Sequence, residues 1–504
     1  MEGNVRLHVS LETAYGSIAF FTSVLHNVFL LYHVDMFVSV YKIDKVSFFV
    51  GEIVFLFWNC INDPLFGWIS DRHYLEGSKE HPHSDVVAKR IAALQKNGPL
   101  LALAFLAFWV SWAYPWLQFL VCMCLYDGFL TMVDLHHSAL LADLAVSNEE
   151  RTKLNSRCSL FSILGSTSVF VSYLLWHKED LTRFRFFCVV VACISLVGFL
   201  IVCRVLKSAY ASHHIHQHGD HHNEDKTEPL PDVIESNSEE VAMVSSTSAL
   251  WKYIQQLKSH KNFLWFAAMN IVQVFHCHFN SNFFPLFLEN LLGDAISPTL
   301  ASALLGISFI APHINNLYFL SLCRRWGVYS VIRILFVVKL LMAVLMLTMG
   351  PSSTLLLCVF IASNRVFTEG TCKLLSLVIS DLVDEDFVMH RRHQAVSALI
   401  FGTSALLSKP GQSFAPLVGS LVLSMQTGHD IFQTGHETGS VKASFRHMSA
   451  EQQAGYRLGC FHFLVYVTMA CAILQLIFWQ RFALRGARLN WVKAARRGAE
   501  EHCV

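Results

Sequence analysis

The fold of this chain is decided by one stretch, Trp58-Asn-Cys-Ile-Asn-Asp-Pro-Leu-Phe-Gly-Trp-Ile-Ser-Asp-Arg72. It closes an apolar run that begins near Val46, so its polar side chains would lie inside a bilayer. A carboxylate there costs roughly 2.5–3.5 kcal/mol on insertion scales, and intramembrane acids usually serve function. Asn59, Asn62 and Asp63 stand at i, i+3 and i+4 and therefore share one helix face. Two amides and a carboxylate on one face are typical ligands of a small hard cation.

The composition around this stretch is that of a polytopic membrane protein. Of the 504 residues, 54% are hydrophobic and only 15% are charged, whereas soluble domains carry about 25% charged residues. A membrane-spanning helix needs about 20 apolar residues. Counting such runs predicts an all-α membrane protein of about twelve transmembrane helices, at 14–37, 45–70, 98–115, 117–144, 157–176, 184–206, 262–290, 297–320, 328–349, 353–380, 394–424 and 456–481.

The positive charges predict the orientation. Lys and Arg are concentrated in segments 72–97 and 145–157 and in the C-terminal tail, and they are sparser in the alternate loops. Because cytoplasmic loops are enriched in these residues, both termini are predicted to be cytoplasmic, with the plasma membrane as the default location. The formal net charge of +1 argues against nucleic acid as a partner. We expect a monomer whose partners are the lipid bilayer and a small-molecule substrate.

A long polar segment, 207–260, divides the chain between the sixth and seventh spans. It contains six closely spaced histidines, a composition that binds zinc in some proteins, but without an ordered ligand spacing we predict a disordered cytoplasmic linker. The predicted domains are therefore an N-terminal six-helix lobe at 1–206, the linker, a C-terminal six-helix lobe at 261–482 and a basic cytoplasmic tail at 483–504. Two such lobes form the architecture of two-lobed secondary transporters, which bind substrate near the midplane.

Further polar residues lie within the apolar runs. In the fourth span Asp127, Thr131 and Asp134 share a face, and Asp134 is mid-span. Such an acid usually faces a cavity, although a pair with a neighbouring histidine is the alternative. In the eleventh span Lys409 has no acid on its own helix, so we predict that it faces Asp63 or Asp134 across the cavity.

Glu369 and Lys373 of the tenth span stand in the favourable order for an i, i+4 pair, and we predict a structural ion pair. The seventh span contains a polar segment, 276–285, which predicts either an unwound cavity-lining stretch or ordinary interhelical hydrogen bonds. The sequence holds no Gly-x-Ser-x-Gly, Walker or His-Glu-x-x-His motif, and its cysteines follow no metal-binding spacing. We therefore expect no enzymatic activity, no cofactor and no metal centre, but movement of a solute driven by a gradient.

These residues resemble the glycoside–pentoside–hexuronide:cation symporters, a branch of the major facilitator superfamily. The resemblance rests first on the second-helix segment 58–68. Further matches lie in both halves of the chain. They are Thr131-Met-Val-Asp134, Glu150-Arg-Thr152 with Leu154-Asn-Ser156, and Asp381-Leu-Val-Asp384 with Arg391-Arg392 and Lys409. The resemblance implies the two-lobed major facilitator fold and alternating access.

It also implies roles for particular residues. In the bacterial melibiose carrier of that branch, second-helix polar residues and a fourth-helix threonine coordinate sodium, which carries over to Asn59, Asn62, Asp63 and Thr131. The sugar-binding acid of the fourth helix carries over to Asp134.

The eleventh-helix lysine of that branch carries over to Lys409. The chain departs from the branch at three places. Asn59 replaces an acid, the region 19–23 lacks a carboxylate, and Cys158 stands where the branch has an arginine.

Together these features predict a secondary transporter of a small organic solute, sugar-like or amphiphilic, coupled to Na⁺ or H⁺. Asn59, Asn62, Asp63 and Thr131 would bind the cation. Asp134 and Lys409 would bind substrate. Asp71 and Arg72 would gate the cytoplasmic side. The alternatives are a transport-inactive relative that acts as a membrane scaffold, and a carrier of lysolipids.

Overall fold

The computed structural model describes residues 9–75, 83–145, 147–176, 180–218, 250–427 and 450–502, and these are almost entirely helical. The first half contains α1 (Leu11–Asp35), α2 (Lys45–Leu75), α3 (His83–Leu106), α4 (Pro115–Leu144), α5 (Asn148–Ser166), α6 (Ser168–Leu175), α7 (Thr182–His218) and α8 (250–259). The second contains α9 (Lys261–Phe287), α10 (Pro298–Trp326), α11 (Val328–Met349), α12 (Thr354–Met389), α13 (Ser397–Thr427), α14 (Ala450–Arg481) and α15 (Ala487–His502). The predicted all-α class is confirmed.

The twelve predicted spans correspond to α1–α4, α5 with α6, α7 and α9–α14. Five of these helical segments are long and apolar enough to cross a membrane by length and composition alone: Val46–Arg72, Pro115–Leu144, Thr182–Ala211, Val328–Met349 and Glu451–Arg481.

The third span differs most from its predicted bounds of 98–115, because α3 begins at His83 and ends at Leu106. Turns follow at 107–109. The Gln118 side chain donates to the carbonyls of Ala107 at 2.9 Å and Val110 at 2.8 Å, and the Trp112 indole donates to Ala107 at 3.0 Å. These side chains satisfy carbonyls that continued helix would otherwise bond, so the helix ends early.

The predicted linker is partly helical. Residues 207–218 continue α7 and residues 250–259 form α8, so the prediction of disorder was wrong for both ends. Residues 219–249 lie outside the described residues. No proline or glycine lies between Gly198 and Gly219, so the sequence has no residue that would stop α7 soon after 206.

The chain forms two compact units. The first unit contains 1–260, 380–403 and 491–504, and the second contains 261–379 and 404–490. In the first unit α1 packs on α5 and α7, α3 packs on α4 and α7, and α2 packs on α4. In the second unit α14 packs on α9 and α11, and α10 packs on α11. The segments around 380–403 and 491–504 thus group with the N-terminal helices, a grouping that the sequence did not predict.

Aromatic side chains fill the core of each unit. In the first, the rings of Phe29 and Tyr126 stack with centroids 4.2 Å apart, and Phe108 packs edge-on against Tyr126 at 5.7 Å. In the second, Phe279 and Phe463 pack edge-on at 5.0 Å within a larger apolar cluster. Such aromatic pairs are worth about 0.5–1.5 kcal/mol each beyond the area that they bury.

Helix α2 has two chemically opposite faces. Its apolar side chains Ile53, Phe57 and Ile61 are exposed, with Phe57 66% exposed. Its polar side chains Asn59 and Asn62 are buried. This inverted pattern is typical of a helix that presents its apolar face to lipid and its polar face to the protein interior.

Candidate functional site

The polar face of α2 packs against α4 and forms a cluster with it. Asn62 is fully buried, and its side-chain amide donates hydrogen bonds to the Asp127 carboxylate and, at 3.2 Å, to the Thr131 hydroxyl. Asn59 and Asp63 are 9% and 8% exposed on the same helix. We call Asn59, Asn62, Asp63, Asp127 and Thr131 the α2–α4 cluster.

Of the four predicted cation ligands, the structure joins Asn62 and Thr131 by a hydrogen bond and adds Asp127 to them. The other two, Asn59 and Asp63, are buried on the same helix as Asn62. Asn62 and Thr131 are brought into direct contact, which the helical spacing alone did not determine. Asp127 supplies a second carboxylate beside Asn62. Sequence reasoning did not assign Asp127 to the site, although its i, i+4 spacing to Thr131 placed both on one face.

The chemistry of this cluster suits a hard cation. Its available ligand atoms are carboxylate, amide and hydroxyl oxygens, which hard cations prefer over nitrogen or sulfur. Both amide hydrogens of Asn62 are committed to Asp127 and Thr131. Asp63 is buried and Asp127 is half-buried, and a carboxylate withdrawn from water requires compensation by positive charge, hydrogen bonds or protonation.

The two predicted substrate residues belong to different units. Asp134 on α4 is exposed, unlike the buried Thr131 one turn before it. Lys409 is half-buried on α13 and belongs to the second unit. The assignment of both residues to a substrate cavity stays a prediction.

The predicted gating residue Asp71 is fully buried at the end of α2. Arg90 of α3 binds Asp71 at 2.8 Å and Asp143 of α4 at 2.9 Å. The other carboxylate oxygen of Asp71 accepts the backbone N–H of Leu399 at 2.9 Å, in the first turn of α13. An acid at a helix N-terminus is stabilised by the helix dipole and by unpaired N–H groups. The second predicted gating residue, Arg72, is exposed.

A second charged cluster surrounds Arg151 of α5. Arg151 binds Asp381 at 2.9 Å and Asp384 at 2.8 Å, and all three side chains are at most 1% exposed. From α15, Arg496 also binds Asp384 and Lys493 binds Asp381 at 2.8 Å. We call Arg151, Asp381, Asp384, Lys493 and Arg496 the Arg151 cluster, and it joins three helices, α5, α12 and α15.

The contacts of the buried charged residues beyond residue 380 shift their pKa values. Burial alone would raise the pKa of Asp384, but Arg151 and Arg496 outweigh it and hold that pKa below its usual value. Burial likewise opposes ionisation of Asp386, and hydrogen bonds from His390 and Arg392 lower its pKa. Burial lowers the pKa of Lys493, which Asp381 offsets only in part.

The predicted Glu369–Lys373 pair involves a third charge. Glu369 interacts electrostatically with Arg365 most strongly and with Lys373 next. Lys373 is exposed, whereas Arg365 is 8% exposed and lies 5.1 Å from the centroid of the Phe284 ring. A purely structural role for the pair stays a prediction.

The second unit contains a buried polar network that sequence analysis missed. Lys339 of α11 is 5% exposed, and its ammonium lies 3.1 Å from His276 Nδ1 and donates to Gln475 at 2.6 Å. Gln475 in turn donates to Gln273 at 2.5 Å. The sequence feature that could have revealed this network is Lys339, the single lysine within the apolar segment 328–349. Segment 276–285 lies within continuous helix up to Phe287, so the alternative of an unwound stretch was wrong.

Comparison with known proteins identifies the family. The family model described as "MFS/sugar transport protein" matches residues 14–228 and 232–486. The chain belongs to this family. It is also 56% identical over 496 residues to Transmembrane protein 180 of Gallus gallus, covering 97% of this chain and 96% of that one. Transmembrane protein 180 of Mus musculus is 56% identical over 505 residues, covering 97% and 95% of the two chains.

Solved structures agree with this family at the level of the fold. A bacterial homologue of the iron transporter ferroportin, in an outward-facing state with soaked iron, superposes with a TM-score of 0.60 at 14% identity, covering 95% of this chain and all of that one. The major facilitator transporter FucP, in its outward conformation, superposes with a TM-score of 0.52 at 10% identity with the same coverage. The major facilitator fold is therefore confirmed, and the chain is a multi-pass membrane protein with the family and fold of membrane transporters.

Proposed function

We propose that this protein is a secondary transporter that moves a small organic solute, sugar-like or amphiphilic, by alternating access coupled to Na⁺ or H⁺. The observation that carries the proposal is the α2–α4 cluster, where Asn62 joins Asp127 and Thr131 beside the buried Asp63. Oxygen ligands that include a buried and a half-buried carboxylate have little structural value in a membrane unless a cation or proton shares them.

In this mechanism Asp63 and Asp127 hold the coupling ion, and Asn59, Asn62 and Thr131 complete its oxygen shell. Asp134 and Lys409 bind the solute. Asp71 closes the membrane face at which α2 ends, through Arg90 and the first turn of α13. The family description, which names sugar transport, supports a sugar-like solute. We further propose a monomer in the plasma membrane with both termini cytoplasmic.

The coupling ion is tested by its effect on thermal unfolding of the purified protein. An ion that binds only the folded state raises the midpoint temperature of unfolding as the ion concentration rises. We expect Na⁺ to raise the midpoint of the wild type relative to choline. If the coupling ion is H⁺, lowering the pH within the range from about 8 to 6 should raise the midpoint instead, well above the acid range in which Asp384 and Asp386 lose their contribution. Asp63→Asn and Asp127→Asn should each remove the response. Asp44→Asn is the matched control, since Asp44 is an exposed acid that caps the start of the same helix.

Transport itself is tested in proteoliposomes with a panel of sugars and lysolipids, with and without a sodium or proton gradient. Gradient-dependent uptake that Asp63→Asn abolishes supports the proposal. If no solute is taken up under any gradient and Asp63→Asn unfolds like the wild type, coupled transport is wrong. The scaffold alternative then gains support, and the replacement of an acid by Asn59 favours it.

A further inference from the structure

Two cysteines and one acid converge in the second unit, away from the α2–α4 cluster. Cys277 of α9 and Glu369 and Cys372 of α12 place two sulfurs and a carboxylate oxygen within 4.8 Å of one another. Glu369 and Cys372 are three residues apart on one helix and so share a face. Cys277 is 7% exposed, and the other two are half-buried.

A hydrogen-bond donor and a positive charge lie close to the two sulfurs. The Gln273 amide lies 3.3 Å from Cys372 Sγ and 3.6 Å from Cys277 Sγ, with its nitrogen toward both. The ammonium of Lys339 interacts electrostatically with both cysteines. Gln273 is itself held by the Thr368 carbonyl at 2.8 Å and by Gln475. Outer hydrogen bonds of this kind orient metal ligands and tune their basicity.

We propose that Cys277, Glu369 and Cys372 form a binding site for a divalent transition-metal ion of the zinc or ferrous type. Two thiolates and a carboxylate suit such ions and not Na⁺, Mg²⁺ or Ca²⁺, which prefer all-oxygen shells. The Cys277 and Cys372 thiols each release a proton as the metal–sulfur bonds form. Zinc–sulfur bonds of about 2.3 Å place two sulfurs about 3.8 Å apart in a tetrahedral site, so modest side-chain rotations close the shell.

The ligand count has a consequence for function. Three protein ligands leave a fourth position open, which is typical of sites that exchange or activate a ligand rather than of closed structural sites. The metal adds two positive charges beside Arg365 and Lys373, which already attract Glu369. Deprotonation of both thiols offsets this repulsion, because two thiolates and a carboxylate carry three negative charges.

The experiment titrates Co²⁺ into the full-length protein, purified in detergent with a phosphine reductant. Thiolate–cobalt charge-transfer absorption in the near-ultraviolet reports sulfur ligation. Histidines of the 213–222 tract bind cobalt through nitrogen and do not produce that band. We expect one thiolate-bound cobalt per chain, displaced by Zn²⁺. X-ray absorption at the zinc edge should show two sulfur ligands.

Variants assign the ligands. Cys277→Ser and Cys372→Ser should each reduce the charge-transfer band strongly, and Glu369→Gln should weaken cobalt affinity about tenfold or more while the band remains. Cys358→Ser is the matched control on α12 and should bind like the wild type. Gel filtration checks folding of each variant. A wild type without the band, a band that survives both cysteine variants, or a zinc shell of nitrogen and oxygen alone overturns the proposal whether or not the protein transports a solute.

Discussion

Gly67 and Gly402 set how closely α2 approaches the start of α13. A Cβ on Gly67 would lie 2.7 Å from the Ala398 carbonyl oxygen, and one on Gly402 would lie 2.5 Å from the Asp63 carbonyl oxygen. Both contacts are with backbone, which cannot rotate away. Alanine at either position should therefore lower the free energy of unfolding by about 1–3 kcal/mol, the usual cost of overpacking.

The midpoint of thermal unfolding in detergent measures this effect. Gly455→Ala is the matched control, because a Cβ on this helical glycine meets nothing within 4 Å. It should be neutral or stabilising by up to about 1 kcal/mol, from improved helix propensity. If Gly402→Ala unfolds at the same temperature as Gly455→Ala, the close approach of the two helices is wrong.

The same helix shows what the residue scale reveals in a sequence. Asn59, Asn62 and Asp63 were recognisable because polar residues at helical spacing are costly in an apolar run. Asp127 was not assigned to the site, because its contact with Asn62 depends on how α2 packs on α4. The two helices approach closely at Gly128, where a Cβ would lie 3.3 Å from the Trp58 ring. A single sequence does not predict such a distance.

At the scale of elements, α15 is fixed to the first unit by two of its basic residues. Arg496 is 1% exposed, binds Asp384 and lies 5.6 Å from the Phe387 ring centroid. Arg496→Ala should lower the free energy of unfolding by about 3 kcal/mol, the lower end for a broken buried pair, because Arg151 still neutralises Asp384. It should also make α15 more susceptible to limited proteolysis.

Arg497→Ala is the control for that variant. Arg497 is the next residue on α15 and is exposed, so its loss should change the unfolding midpoint little. Equal behaviour of the two variants in both assays would show that α15 is not held by the Arg151 cluster.

The sequence predicted the helices better than their contacts. Twelve spans followed from apolar runs, since each run is a local property. The tail 483–504 was recognised only as basic, because its acidic partners Asp381 and Asp384 lie about a hundred residues earlier. The end of α3 was misplaced because it depends on hydrogen bonds from Trp112 and Gln118, which an apolar count ignores.

The whole molecule should lose stability in acid. The pKa values of Asp384 and Asp386 lie below their ordinary value, so both acids release protons more readily in the folded than in the unfolded state. Their contribution is complete above the unfolded pKa of about 3.9 and is lost as the pH falls through the folded values. We expect the midpoint temperature of unfolding to decrease once the pH is lowered below about 4. Asp386→Asn should make the midpoint temperature less dependent on pH in this range. A wild-type midpoint temperature that stays unchanged down to about pH 3 would contradict the prediction.

The topology of the whole chain is a separate prediction. An even number of spans places both termini on one side, and the basic segments 72–97 and 145–157 place that side in the cytoplasm. The segment 428–449 joins α13 to α14, the eleventh and twelfth spans, and must then face outward. In intact cells, an epitope inserted at 428–449 should bind antibody, whereas epitopes at either terminus should bind only after permeabilisation. Labelling of a terminal epitope in intact cells would reverse the orientation, and termini on opposite sides would contradict the twelve-span count.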